Sequence, residues 1–249
     1  SFGVGYDGVE VKAAAQRGIV VTNTPDVLND EVADTAIALL LNTIRRFHFA
    51  EQYLREGRWE KEGAFPLSPM SLKGRKVGLH GLGRIGMEIA SRLVPFKVEI
   101  AYHTRRPRAD VAYTYHDSLI GLAKAVDILI SIVPSTPETN GAINSEVLAA
   151  LGTDGVLINV GRGSTVDEPA LIAALQNGTI AAAGLDVFAD EPHVPQALID
   201  LPNVSLLPHV ASASVPTRDA MADLVVDNLI SWFEGRGPLT PVPETPAAR

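Results

Sequence analysis

The chain has 249 residues, 46% of them hydrophobic and 6% aromatic, with a formal net charge of −8. Such a length supports one large domain or two smaller ones, and an acidic balance without a basic stripe argues against a nucleic-acid partner. The absence of cysteine excludes disulfides, thiolate catalysis and cysteine-ligated metals and suits a reducing cytoplasm, while no apolar run reaches the ~20 residues of a membrane helix.

The first residues, SFGVGYD, form a glycine-rich loop in which Gly3 and Gly5 can expose backbone N–H groups. Asp7 is placed to cap a helix over residues 9–17, Gly18 ends it, and the β-branched residues 19–22 read as a short strand. This opening reads as the end of an α/β unit that begins further upstream. After the turn TPDVLND, Asn29 or Asp30 caps a helix whose apolar positions Val32, Ala36, Leu39, Leu40 and Ile44 have helical spacing. The pattern runs on through Phe47, Ala50 and Leu54 towards Gly57, long for a globular helix and suited to a domain crossing or a subunit interface. Residues 57–71 read as an irregular bridge.

The stretch KVGLHGLGRIG, residues 76–86, organises the rest of the chain. A short buried strand leads into Gly81, Gly83 and Gly86 at G-x-G-x-x-G spacing, and an apolar helical pattern continues through Ile85, Ile89, Ala90 and Leu93. The first glycine permits the turn, the second lets a pyrophosphate approach the backbone, and the third lets helix and strand pack closely. The helix N-terminus then offers N–H groups and a positive dipole end to phosphates. Further strands are expected over residues 98–102, 127–133, 155–160, 181–187 and 204–207. Helices are expected over 118–125, 144–151, 168–177 and 216–234. The strands are apolar runs rather than alternating ones. The fold class is therefore α/β, a doubly wound parallel sheet of the Rossmann type buried on both faces. The tail from Gly235, with Pro238, Pro241, Pro243 and Pro246, reads as disordered.

The end of the second strand decides between cofactors. An NAD site places a carboxylate there for the ribose 2′-OH. This chain has His103, Thr104, Arg105 and Arg106 instead. A hydroxyl and two guanidiniums suit the 2′-phosphate of NADP (NADPH), and NAD is the less favoured alternative. Three later strand ends carry groups able to do chemistry: Arg162 between Gly161 and Gly163, then Asp186 and Glu191, then His209. Arg162 could clamp a substrate carboxylate, and His209 could give a carbonyl oxygen its proton as hydride arrives at carbon. Glu191 could hold the other imidazole nitrogen and favour the protonated ring, and Asp186 could reach the nicotinamide carboxamide. Singly, each residue is as well explained by an ordinary structural role, and the histidines at 48, 80, 103, 116 and 193 show that histidine alone selects nothing.

The stretches SFGVGYDGVE, NDEVADTAIALLLNTIRR, LKGRKVGLHGLGRIGMEIA, IVPSTPETNGAIN, LINVGRGSTVDEPALIAAL, GLDVFADEP and LLPHVAS span nearly the whole chain. Together they resemble the D-isomer-specific 2-hydroxyacid dehydrogenases, most of all the glyoxylate/hydroxypyruvate reductase branch. The resemblance implies that Arg162, Glu191 and His209 fill the family's catalytic places. It implies that Val4 and Gly5 bind the substrate carboxylate through backbone N–H groups, and that Arg84 and Ile85 touch the pyrophosphate. Val133, Pro134, Thr139, Val160 and Asp186 would line the nicotinamide half. A homodimer formed through the dinucleotide domain is implied as well. Residues 23–215 would form that domain, and 1–22 with 216–249 would be remnants of a flavodoxin-like substrate domain whose earlier strand–helix units precede SFGVGYD in relatives. Lys97 stands where relatives often have glycine. The activity implied is reduction of a small 2-keto acid. The alternatives are a nucleotide-sensing, corepressor-like protein of the same fold and a dehydrogenase of phosphorylated or bulkier 2-hydroxy acids.

Overall fold

The computed structural model describes residues 1–245 of the chain. It divides into a smaller unit, Ser1–Val32 with Ser212–Arg249, and a larger one, Ala33–Ala211. In chain order the helices of the described residues are α1 (Val11–Gln16), α2 (Asn29–Arg45), α3 (Phe47–Arg55), α4 (Arg58–Glu62), α5 (Arg84–Leu93), α6 (Leu119–Ala125), α7 (Ser145–Leu151), α8 (Glu168–Gln176), α9 (Gln196–Ile199) and α10 (Val215–Phe233). The strands are β1 (Lys76–His80), β2 (Glu99–His103), β3 (Thr114–His116), β4 (Ile128–Ser131), β5 (Val156–Asn159), β6 (Ala182–Leu185) and β7 (Val204–Leu206).

All seven strands lie in the larger unit and pair in parallel in the order β3-β2-β1-β4-β5-β6-β7. The order reverses between β1 and β4, the switch point at which open α/β sheets bind their ligands. The strand ends align across the sheet. His116, His103, His80, Ser131, Asn159, Leu185 and Leu206 are successive register partners, so the residues beyond them share one edge. Both faces are covered. Leu129, Leu157 and Ala183 point into a core with Leu122, Leu148 and Leu171. Gly184 faces the other way, and a side chain there would meet Thr43 and Leu39 of α2. Strands buried on both sides explain the unbroken apolar runs in the sequence.

The elements match the expected pattern with several corrections. The helix from Asn29 does not run to Gly57. Arg46 turns left-handed at φ 56°, which ends α2, and α3 starts afresh. Asp30 and Glu31 lie inside the first turn of α2, where carboxylates suit the dipole. The bridge over 57–71 contains α4, and β3 and α9 are additional to the expected elements. Ser118 and Asn144 cap α6 and α7 through side-chain oxygens rather than opening them as helical residues.

In the smaller unit Glu10, not Asp7, takes the N-cap position of α1. The residues expected as a strand over 19–22 make a single antiparallel bridge, Thr22 to Pro241. Residues 235–245, expected to be disordered, are instead tied to the rest of the unit by hydrogen bonds. Asn228 of α10 is buried, and its side-chain oxygen accepts from Leu239 N at 2.9 Å and Thr240 N at 3.0 Å. Val21 then exchanges bonds with the tail, donating to Thr245 Oγ1 at 2.8 Å and accepting from Val242 N at 2.9 Å. Prolines do not prevent this pairing, because the donors used come from residues between them. Pro246 lies outside the described residues.

Candidate active site and dinucleotide cleft

The turn after β1 is built by close backbone approach. Gly81 has φ +100°, and a Cβ there would lie 2.9 Å from Val133 Cγ1 and 3.0 Å from the Ile132 carbonyl oxygen. A Cβ on Gly86 would lie 2.6 Å from Gly81 O. Gly83, by contrast, faces open space and is the N-cap of α5 without any side-chain cap. The first-turn N–H groups of α5 therefore have no side-chain acceptor at the N-cap, beside a glycine that leaves room above them.

A cavity of about 1140 Å³ opens there, large enough for a dinucleotide. Of the residues singled out in the sequence, Gly81, Gly83, Thr104, Arg105, Arg106, Val133, Pro134 and Thr139 line it. Arg84, Ile85, Gly86, Val160 and Asp186 do not. Gly86 is spent on helix–strand packing, and Val160 and Asp186 are buried. Thr104 hydrogen-bonds Arg106 O at 2.6 Å and so fixes the turn that carries the two arginines. Arg105 and Arg106 themselves are exposed on the cavity wall. A glycine cradle with free approach and two cations at the end of β2 fits a dinucleotide that bears an additional phosphate.

Three further cavity residues carry weight that sequence reasoning missed. Arg108 donates to Leu82 O at 2.7 Å and pairs with Asp110, tying the β2 turn to the glycine turn. Glu138 stands on the same wall. Its carboxyl is held below the usual range mainly by the Thr136 hydroxyl, and also by the charge of Arg105. His80 is buried at the root of the turn and stacks on His103 at 5.9 Å between ring centres. Burial, with a smaller contribution from His103, pushes the His80 imidazole down to about 4. The matching positions of the two histidines at the ends of β1 and β2 were the available signal.

The chemical residues lie beyond β5, β6 and β7. Asn159 ends β5, and its side chain donates to Arg162 O at 3.0 Å and accepts from Gly161 N at 3.1 Å. These bonds fold the loop that presents Arg162, whose guanidinium donates to Gly161 O at 2.8 Å. Gly163 packs flush against the next loop, for a Cβ there would fall 1.8 Å from Phe188 O. In that loop Glu191 Oε1 accepts from Phe188 N at 2.9 Å, and buried Glu168 accepts from Ala189 N at 3.2 Å. The remaining oxygen of Glu191, Oε2, lies 2.6 Å from His209 Nδ1. The structure thus brings Glu191 and His209 into direct contact. Each carboxylate oxygen of Asp186 accepts one backbone amide. Oδ1 accepts from Val210 N at 2.8 Å and Oδ2 from Ala211 N at 3.0 Å. Burial holds this carboxyl above the usual range, and the two N–H donors oppose that effect. Val4 and Gly5 belong to the smaller unit, where Val4 O accepts from Asn23 Nδ2 at 2.9 Å.

A doubly wound parallel sheet with a glycine-turn cleft, joined at successive strand ends by an arginine and a hydrogen-bonded glutamate–histidine pair, defines a dinucleotide-dependent oxidoreductase domain. The chain belongs to the D-isomer specific 2-hydroxyacid dehydrogenases, whose NAD binding domain matches residues 37–211. It is 50% identical over 242 residues to the hydroxyphenylpyruvate reductase of Plectranthus scutellarioides, covering 97% of this chain and 77% of that one. It is 49% identical, at the same coverage, to a glyoxylate/hydroxypyruvate reductase of Arabidopsis thaliana. Among solved structures, the NADPH-dependent glyoxylate/hydroxypyruvate reductase of Sinorhizobium meliloti, in complex with NADP and malonate, superposes with a TM-score of 0.98 at 70% identity, covering 100% of this chain and 78% of that one. Among the described residues no cluster of three or more His, Cys, Asp or Glu side chains is placed to hold a metal ion, and no helix is long and apolar enough to cross a membrane.

Proposed function

We propose that this protein is an NADPH-dependent reductase of small 2-keto acids, glyoxylate and hydroxypyruvate first. The observation that carries the reading is the 2.6 Å contact between Glu191 Oε2 and His209 Nδ1 on strand ends beside the glycine-turn cleft. NADPH, when bound, supplies the hydride. His209 gives the substrate carbonyl oxygen its proton, from Nε2, because Glu191 occupies Nδ1. Arg162 holds the substrate carboxylate and polarises the neighbouring carbonyl. Arg105 and Arg106 take the 2′-phosphate, with Thr104 bracing their turn. Gly81, Gly83, Arg84 and Ile85 serve the pyrophosphate. Val133, Pro134, Thr139, Val160 and Asp186 serve the nicotinamide half.

The assignment of the Val4 and Gly5 amides to the substrate carboxylate, and of the smaller unit to a substrate domain, rests on family resemblance. Pairing of two copies through the dinucleotide domain is supported by exposed Phe47, Leu54, Trp59 and Leu67 along α3 and α4 and the segment beyond them. A cysteine-free composition supports a cytoplasmic setting.

The test is oxidation of NADPH, with NADH in parallel, on glyoxylate and on hydroxypyruvate. Replacing His209→Gln is expected to lower kcat by about 10²–10⁴-fold without changing NADPH affinity. Wild-type turnover in that variant would end the proton-donor assignment. NADPH binding without turnover on any 2-keto acid would favour the nucleotide-sensing alternative, which leaves the Glu191–His209 pair without a task.

A further inference from the structure

Among the described residues that line the dinucleotide cavity, three are arginines and one is a carboxylate. Arg108 is spent, because its guanidinium pairs with Asp110 and donates to Leu82 O. Arg105 and Arg106 are exposed on the cavity. The carboxylate is Glu138. The topology explains why it shares the cavity with them. Arg105 follows β2, Glu138 follows β4, and these two strands flank β1 and its glycine turn. Glu138 stands on a turn stitched by two threonines. Thr136 N donates to Thr139 Oγ1 at 2.8 Å, Thr139 Oγ1 donates to Pro134 O at 2.6 Å, and Asn140 N donates to Thr136 O at 2.9 Å. The Thr136 hydroxyl is the first support of the ionised carboxylate, its own backbone N–H the next, and the charge of Arg105 adds to both. The main anchors of this charge therefore lie within its own turn. It keeps its place when Arg105 is drawn elsewhere.

We propose that Glu138 is a specificity-determining residue that works by opposition: a fixed negative charge that competes with the cofactor 2′-phosphate for Arg105 and so moderates the preference for NADPH over NADH. This rests on the reading of Arg105 and Arg106 as the 2′-phosphate site. A 2′-phosphate brings a second anion beside the carboxylate and claims the same guanidinium. A ribose 2′-OH brings no charge and leaves the attraction between Arg105 and Glu138 as it was. The opposition therefore weighs on one cofactor and not on the other, and a repulsive element of this kind sets selectivity together with the attractive ones. NADP formed by the reaction carries the same phosphate and is loosened in the same measure. Both side chains are exposed, so the scale is that of a surface pair, about threefold in affinity.

The experiment is a double-mutant cycle on the full chain, with Kd for NADPH and for NADH read by fluorescence titration in the wild type, Glu138→Gln, Arg105→Ser and the double variant. Glu138→Gln keeps the shape of the side chain and removes its charge at an exposed position, where the fold is not at stake. It is expected to raise the ratio of NADPH to NADH affinity about threefold in dilute buffer. The gain is expected to shrink towards nothing near 1 M salt, where screening acts within about 3 Å. In the Arg105→Ser background the same substitution is expected to lose most of its effect. An unchanged or lower ratio, as when both cofactors weaken equally, overturns the proposal and makes Glu138 an ordinary cofactor contact. A full gain without Arg105, or a gain that salt does not touch, overturns it as well. Should Arg105→Ser alone weaken NADPH no more than NADH, the 2′-phosphate reading itself has failed, and that result is visible apart from the Glu138 comparison.

Discussion

His80 links the dinucleotide cleft to folding stability in a way that can be measured. Its imidazole is 5% exposed, and its Nδ1 lies 3.5 Å from the hydroxyl of Ser131 on the neighbouring strand. Burial brings its pKa to about 4 from an ordinary 6.5. As the pH falls below about 6.5 the unfolded chain binds a proton at this position, while the folded chain binds it only near 4. Stability therefore falls between those two values and is fully present above the upper one. The difference corresponds to about 3.4 kcal/mol when complete, and about 2 kcal/mol of it is expressed near pH 5. Urea unfolding of the wild type and of His80→Asn, near pH 7.5 and near pH 5, isolates this contribution. The wild type is expected to lose about 2 kcal/mol more than the variant on acidification. Equal losses in the two proteins would refute the reasoning, because the remaining titrating groups are shared.

Replacing Arg105→Ser together with Arg106→Ser is expected to weaken NADPH binding about 100-fold, at ~1.5 kcal/mol for each charge-assisted contact, and to leave NADH binding near its starting value. Parallel fluorescence titrations decide it, and equal weakening of both cofactors would count against a 2′-phosphate site. Gly163→Ala drives a Cβ into Phe188 O, backbone against backbone, so destabilisation on the order of 3 kcal/mol and loss of turnover are expected in thermal unfolding and steady-state assays. A tolerated alanine would show that the two loops can separate freely. Lys97 has φ 58°, a left-handed conformation that glycine adopts without strain. Lys97→Gly is expected to stabilise by about 1 kcal/mol and raise Tm by about 2–4 °C. An unchanged or lower Tm would contradict it.

The parallel sheet was legible because its strands are buried on both faces and so carry unbroken apolar runs. The cleft was legible because the glycine spacing sits between a strand and a helix. What escaped was set by contacts distant in sequence. Arg46 ends α2 by a single left-handed residue inside an otherwise helical pattern, and periodicity cannot register one backbone angle. The proline-containing tail looks disordered by composition, yet Asn228 and Val21 supply its partners from other segments. β3 is three residues long and half-exposed, too short for a pattern to show. Within the site, residue types at strand ends pointed to Arg162, Glu191 and His209. The engagement of Asp186 by two backbone amides, and the support of Arg162 by Asn159, could be read only from coordinates.

The turn after β2 also bears on how such a protein can change. Its frame is made by Thr104 bonded to the Arg106 carbonyl and by Arg108 gripping Leu82 and Asp110. The two arginines at its tip are exposed to solvent. Ancestral drift or directed evolution could therefore exchange those tips for other side chains one at a time, each step visible in cofactor choice and silent in folding. A trait so cheaply revised is expected to vary among close cousins, whereas Gly81 and Gly86 of the neighbouring turn, where an added Cβ meets backbone, leave no such latitude.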